Sequence, residues 1–139
     1  MKSLFTAFIF SLSLGVMAND IFKINCVSSD IPGFHKFIAS GVVIVDDYNK
    51  VEGVFSIQTQ KAEAEGSVQV FEEVRVRGSR QHFLAGEYTS GPYDQFSLVP
   101  TNNYIKYLNL LVDIKTESSS QVFSVDNFLF RSNCYRDAE

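Results

Sequence analysis

The chain is expected to fold as an all-β protein of antiparallel strands, either an eight-stranded up-and-down barrel or a two-layer β-sandwich, behind an N-terminal signal peptide. Three observations carry that expectation. Runs of β-branched and aromatic residues alternate with polar ones. Turn residues interrupt these runs at intervals close to the ~8 to 12 residues typical of all-β domains. Two cysteines, Cys26 and Cys134, stand near opposite ends of the chain that follows the signal.

Met1–Ala18 has the three parts of a secretory signal: Lys2 at the start, an apolar middle from Leu4 to Leu14, and the small-residue cleavage site Val16-Met17-Ala18. The apolar run is shorter than the ~20 residues a spanning helix requires. Asn19 and Asp20 follow at once, so no stable membrane insertion is expected after cleavage. The first cysteine comes only at Cys26, which argues against a lipid anchor at the cleavage point. Residues 19–139 then form a single antiparallel β domain, within the usual ~100 to 150 residues. A secreted or periplasmic location follows.

The strands are expected in the following order. Ile21–Ser28 precedes a loop over Ser29–His35, where Pro32-Gly33 signals a turn. Phe37–Val45 and Val51–Gln60 form a hairpin across Asp46–Lys50, whose Asp and Asn tolerate left-handed backbone angles. Lys61–Gly66 is a charged break long enough for one helical turn. Val68, Val70, Val74 and Val76 then recur at even positions, which would place Glu72 on the same face. A β-bulge at Glu72-Glu73 would bring Phe71 inside and turn both glutamates out, and the cost of an unpaired buried carboxylate favours it. Gly78-Ser79-Arg80 closes that hairpin and leads into Gln81–Tyr88. After the turn Thr89–Pro92 comes Tyr93–Val99, then the break Pro100–Asn103. Tyr104–Lys115 carries Leu108, Leu110, Val112 and Ile114 at period two. The aromatic-rich stretch Gln121–Cys134 is the last strand.

In a chain bound for an oxidising compartment, two cysteines favour one disulfide over two thiols. Cys26 and Cys134 would join the first strand to the last. In a closed meander those strands are antiparallel, so the cysteines meet if the last strand continues through Tyr135 and Arg136, if register brings them together, or if the strand count differs by one. Neither cysteine has a second cysteine or a histidine at ligand spacing, so no metal site is expected. The oxygens of Asp46, Asp47 and Asn49 are read as turn chemistry, because the calcium-loop pattern is absent.

Several function classes are disfavoured. A net charge of -4, one unit lower without Lys2, gives no basic surface for nucleic acid, and Arg75, Arg77 and Arg80 read as a solvated strand face. No nucleotide fingerprint, phosphate loop or nucleophile motif appears, so no cofactor is expected. The catalytic alternative is a small exported hydrolase with a His/carboxylate pair. It would draw on His82 with Glu72 or Glu87 and would bring His35 and His82 into one cleft.

What remains is aromatic. With 13 Phe, 6 Tyr and no Trp, several tyrosines fall at strand ends, as contact surfaces often require. The expected function is a non-catalytic exported binding module for a protein or small apolar ligand, an enzyme inhibitor of the periplasm being one concrete form. The candidate contacts are Tyr93, Tyr104, Phe34 and His35 on the loops Ser29–His35, Thr89–Tyr93 and Pro100–Tyr104. In strand number and disulfide use the chain resembles lipocalin-like and small exported inhibitor barrels. The resemblance is lipocalin-like in architecture only, since the Gly-x-Trp start of lipocalins has no counterpart here.

Overall fold

Alternating inward and outward side chains roll the chain into a closed antiparallel barrel whose eight strands follow one another in sequence order. They are β1 (Asp20–Ser28), β2 (Lys36–Val45), β3 (Lys50–Gln60), β4 (Val68–Phe83), β5 (Tyr93–Pro100), β6 (Ile105–Val112), β7 (Ser120–Ser124) and β8 (Leu129–Arg136). The computed structural model describes residues 19–28, 33–62, 68–84, 91–114 and 120–137. The expected signal peptide lies outside them. Because β1 pairs with both β2 and β8, the sheet closes and the sandwich alternative falls away.

The count of eight is as expected, but two boundaries are not. Gly78-Ser79-Arg80 is no turn: β4 runs through it for 16 residues. The glycine serves a close approach instead, since a Cβ on Gly78 would lie 1.8 Å from the Ser97 carbonyl oxygen of β5. Gln81–Phe83 therefore belong to β4, and the expected strand beyond Leu84 lies outside the described residues. Conversely, Gln121–Cys134 is not one strand but the hairpin β7–β8. Asp126-Asn127 sits at its turn, with Asn127 at φ 67°. One hairpin too many and one too few leave the total unchanged.

Along the barrel axis the interior is filled by side chains. Phe22, Phe37, Phe55, Phe96, Ile24, Ile57, Leu98, Leu108 and Leu110 are all buried. Each large apolar side chain removed from water stabilises by about 1.5–3 kcal/mol. Filling by its own side chains is one of the two outcomes open to a barrel of eight strands. Gly41 makes room for this packing, for a Cβ there would stand 2.4 Å from the Phe55 ring.

The expected bulge is present. Glu72 and Glu73 stand opposite the single residue Ser56, because Phe55 pairs with Val74 and Ile57 with Phe71. Glu73 takes φ 53°, both glutamates are exposed, and Phe71 packs against the core. The bulge also inverts the phase of β4, so Val68 and Val70 face out while Val74 and Val76 face in.

The cysteines meet because β8 continues through Arg136. Cys26 and Cys134 are direct cross-strand partners with Cα atoms 4.0 Å apart, and their sulfurs lie at bonding distance. Such a pair fits an oxidising environment. Near the two mouths β8 also pairs beyond its neighbours in the barrel order, with β2 at Lys36 and Arg131 and with β6 at Val112 and Cys134. Buried Ser132 stitches one of these junctions, its hydroxyl facing the carbonyls of Val27 and Phe37.

Candidate functional site: an aromatic cup at the distal mouth

The two mouths differ in how they end. The proximal mouth, where β1 begins and β8 finishes, is plugged. Phe22 and Phe96 meet edge to face at 5.4 Å, and the guanidinium groups of Arg80 and Arg136 stand over the Phe22 ring at 5.2 Å and 4.1 Å. Arg80 is not on a solvated face as expected. The β4 alternation that buries Val74 and Val76 carries it inward, where Nη2 stands 2.7 Å from Asp94 and both side chains are less than one-fifth exposed. A carboxylate that shares its position answers the cost of burying the cation.

Among the described residues the distal mouth is open. Thr59, Phe71, Ile105, Val122 and Phe130 form the floor and walls of a cup of about 230 Å³, and Lys61, Tyr104, Asp126 and Phe128 stand at its lip. Local structure fixes these rings. The bulge at Glu72-Glu73 turns Phe71 inward, where its ring lies 5.7 Å from that of Tyr104. Asn102 Oδ1 accepts the backbone amides of Tyr104 at 3.2 Å and Ile105 at 3.0 Å, setting the approach to β6. The β7–β8 turn is clamped twice: Phe128 N–H donates to Ser124 Oγ at 3.2 Å, and Val125 N–H donates to the Tyr104 carbonyl at 3.0 Å. Phe128 and Phe130 are thereby held 6.3 Å apart on one side of the cup.

His35 belongs to this wall. Its Nδ1 accepts the Ala62 amide at 2.9 Å, its carbonyl accepts the Arg131 amide at 2.9 Å, and its ring meets Phe128 edge-on at 5.2 Å. It therefore locks β2, β3 and β8 together behind the aromatic rings. Phe34 lines an adjoining depression of about 130 Å³ with Gly33, Lys36 and Lys61, under the Arg131 guanidinium at 5.0 Å. Lys61 borders both hollows, its Nζ 4.0 Å above the Phe128 ring.

The fold thus brings together Phe34, His35 and Tyr104 but leaves Tyr93 at the proximal mouth, stacked on Phe83 at 4.8 Å. The loops expected as contacts are described only from Gly33 and from Gly91 onward; residues 29–32 and 89–90 lie outside the description. Phe71 entered the sequence reading only through the bulge, and Phe128 and Phe130 were hidden in a supposed continuous strand. The turn pair Asp126-Asn127 was the signal that separates them.

The two histidines do not converge: His35 is at the distal mouth and His82 at the proximal one. His82 pairs with Asp94 at 2.9 Å instead, on the carboxylate that Arg80 also holds. Glu72 is exposed at the bulge, and Glu87 lies outside the described residues. In the β2–β3 turn, Asp46 Oδ1 accepts the amides of Tyr48 at 2.8 Å and Lys50 at 2.9 Å, as the turn reading requires. Comparison of the chain with protein-family models, with curated proteins and with solved structures finds no match.

Proposed function

We propose that the chain is a non-catalytic binding module, exported to the periplasm or the cell exterior, that receives an apolar group of a protein or small ligand in the distal cup. The observation that supports this reading is the asymmetry of the barrel. Its axis is packed and its proximal mouth plugged, yet among the described residues the distal mouth leaves four aromatic rings around an open hollow. Apolar walls with a few polar groups at the lip are the usual composition of a binding pocket. At about 230 Å³ the cup falls below the ~300 to 1,000 Å³ of pockets for drug-sized ligands. It suits a single side chain or one small ring, as an inhibitor or adaptor that engages a partner's anchor residue would need.

The test is a titration of the mature chain, residues 19–139, with the neutral probe 3-phenylpropanol. Tyr104→Ala is expected to weaken binding about tenfold, the upper range for losing one aromatic contact, while Tyr93→Ala at the other mouth leaves it unchanged. Equal affinity in all three proteins would refute the placement.

A hydrolytic reading has one observation in its favour, the His82–Asp94 pair. It requires ester hydrolysis that disappears in His82→Ala. Arg80 binds the same carboxylate oxygen, an arrangement that serves the plug without catalysis.

A further inference from the structure

Resting on the reading of the distal cup as a binding site, we infer that its ligand is a small apolar carboxylate whose acid group pairs with Lys61. The shape of the cup selects the body of the ligand, and the charges at its lip select the head. Lys61 Nζ sits 4.0 Å over the Phe128 ring, at the border between the cup and the Phe34 depression. Among the described residues no carboxylate oxygen lies within 4.0 Å of it. A cation over an aromatic face at a partly exposed site is held weakly. A carboxylate offers the same ammonium a charge-assisted hydrogen bond, which is stronger.

The opposite charge is disfavoured by the same geometry. A cationic ligand entering the cup would meet the Lys61 ammonium above the ring it needs. Among the described residues the acidic one at the lip, Asp126, is exposed at the tip of the β7–β8 turn, where solvent screens it. Lys61 is partly buried against the wall. Among the described charges at the lip, the less screened one is positive. An apolar body the size of one ring or one branched aliphatic group fills the cup, and its carboxylate emerges beside Lys61. Two sources share that chemistry: the C-terminal residue of a protein and a free aromatic or aliphatic acid.

The experiment compares three probes with one apolar body, 3-phenylpropionate, 3-phenylpropanol and 3-phenylpropylamine, by NMR titration of the mature chain. The acid is expected to bind about tenfold tighter than the alcohol, with the amine weakest. Lys61→Gln brings the ratio of acid to alcohol affinity to about one, and added salt lowers the same ratio. Equal binding of acid and alcohol in the cup overturns the charge assignment and leaves the apolar site standing. Shifts outside the cup with every probe overturn both. An advantage of the acid that survives in Lys61→Gln overturns the role of Lys61. A short peptide ending in Phe, with its carboxyl free or amidated, distinguishes the sources. Tighter binding of the free-acid peptide than of 3-phenylpropionate assigns a protein terminus, and the reverse order assigns a free acid.

Discussion

A single β-carbon decides whether β4 can lie against β5. Nothing can be added to Gly78 without moving the Ser97 carbonyl, which is backbone and cannot rotate away. Gly78→Ala is expected to destabilise the fold by about 3 kcal/mol, the upper range for overpacking a strand junction. Gly91→Ala, where the new methyl would meet nothing within 4 Å, should stay within about 0.5 kcal/mol. Urea unfolding of the two variants separates close approach from a general intolerance of glycine loss. The proximal plug is a second residue-scale test. Removing either partner of Arg80–Asp94 leaves the other charge partly buried, at a cost of about 3 kcal/mol. The double variant should lose less than the sum of the single losses, which a double-mutant cycle in the same denaturant measures.

At the scale of elements, the bulge in β4 and the turn between β7 and β8 build the cup. Glu73 adopts a left-handed backbone that L side chains enter at about 1 kcal/mol or more. Glu73→Gly is therefore expected to stabilise by about 0.5–1 kcal/mol, whereas Glu73→Val should destabilise by a similar amount. If both shifted the urea midpoint in the same direction, the bulge geometry would be wrong. The bulge was legible in the sequence because an inward Glu72 conflicted with the cost of burying an unpaired carboxylate. The glycine of β4 was not legible. Gly-Ser-Arg between strand-like runs looks the same whether the chain turns or another strand crosses it, and only the Ser97 carbonyl separates the two cases. The β7–β8 turn was missed for the opposite reason. Its flanks, Val122 to Val125 and Phe128 to Phe130, are so strand-like that the short polar pair between them was absorbed. The cup inherits that error: Tyr104, Phe34 and His35 were visible as aromatic residues near loops, while Phe128 and Phe130 were not.

For the whole molecule, closure depends on β8 reaching Arg136, which sets Cys26 opposite Cys134 across a separation of 108 residues. A bridge over so long a loop typically stabilises by about 2–5 kcal/mol. Paired replacement of both cysteines by serine should lower stability in that range while keeping the β-rich circular dichroism spectrum, because the core of Phe, Ile, Leu and Val is unchanged. The all-β class and the pairing of the two cysteines were readable from alternation and chain-end position. Closure was not, since eight alternating strands are equally consistent with two packed layers until β1 and β8 are seen to pair. The barrel is filled along its axis, and the binding proposed for it is confined to one mouth. The most direct test is an aromatic carbon–proton NMR titration of the mature chain with 3-phenylpropanol. Saturable shifts at Phe71, Tyr104, Phe128 and Phe130, with Phe22 and Phe96 unmoved, are the predicted result. Shifts centred on Phe22 and Phe96, or none at the four cup rings, would contradict it.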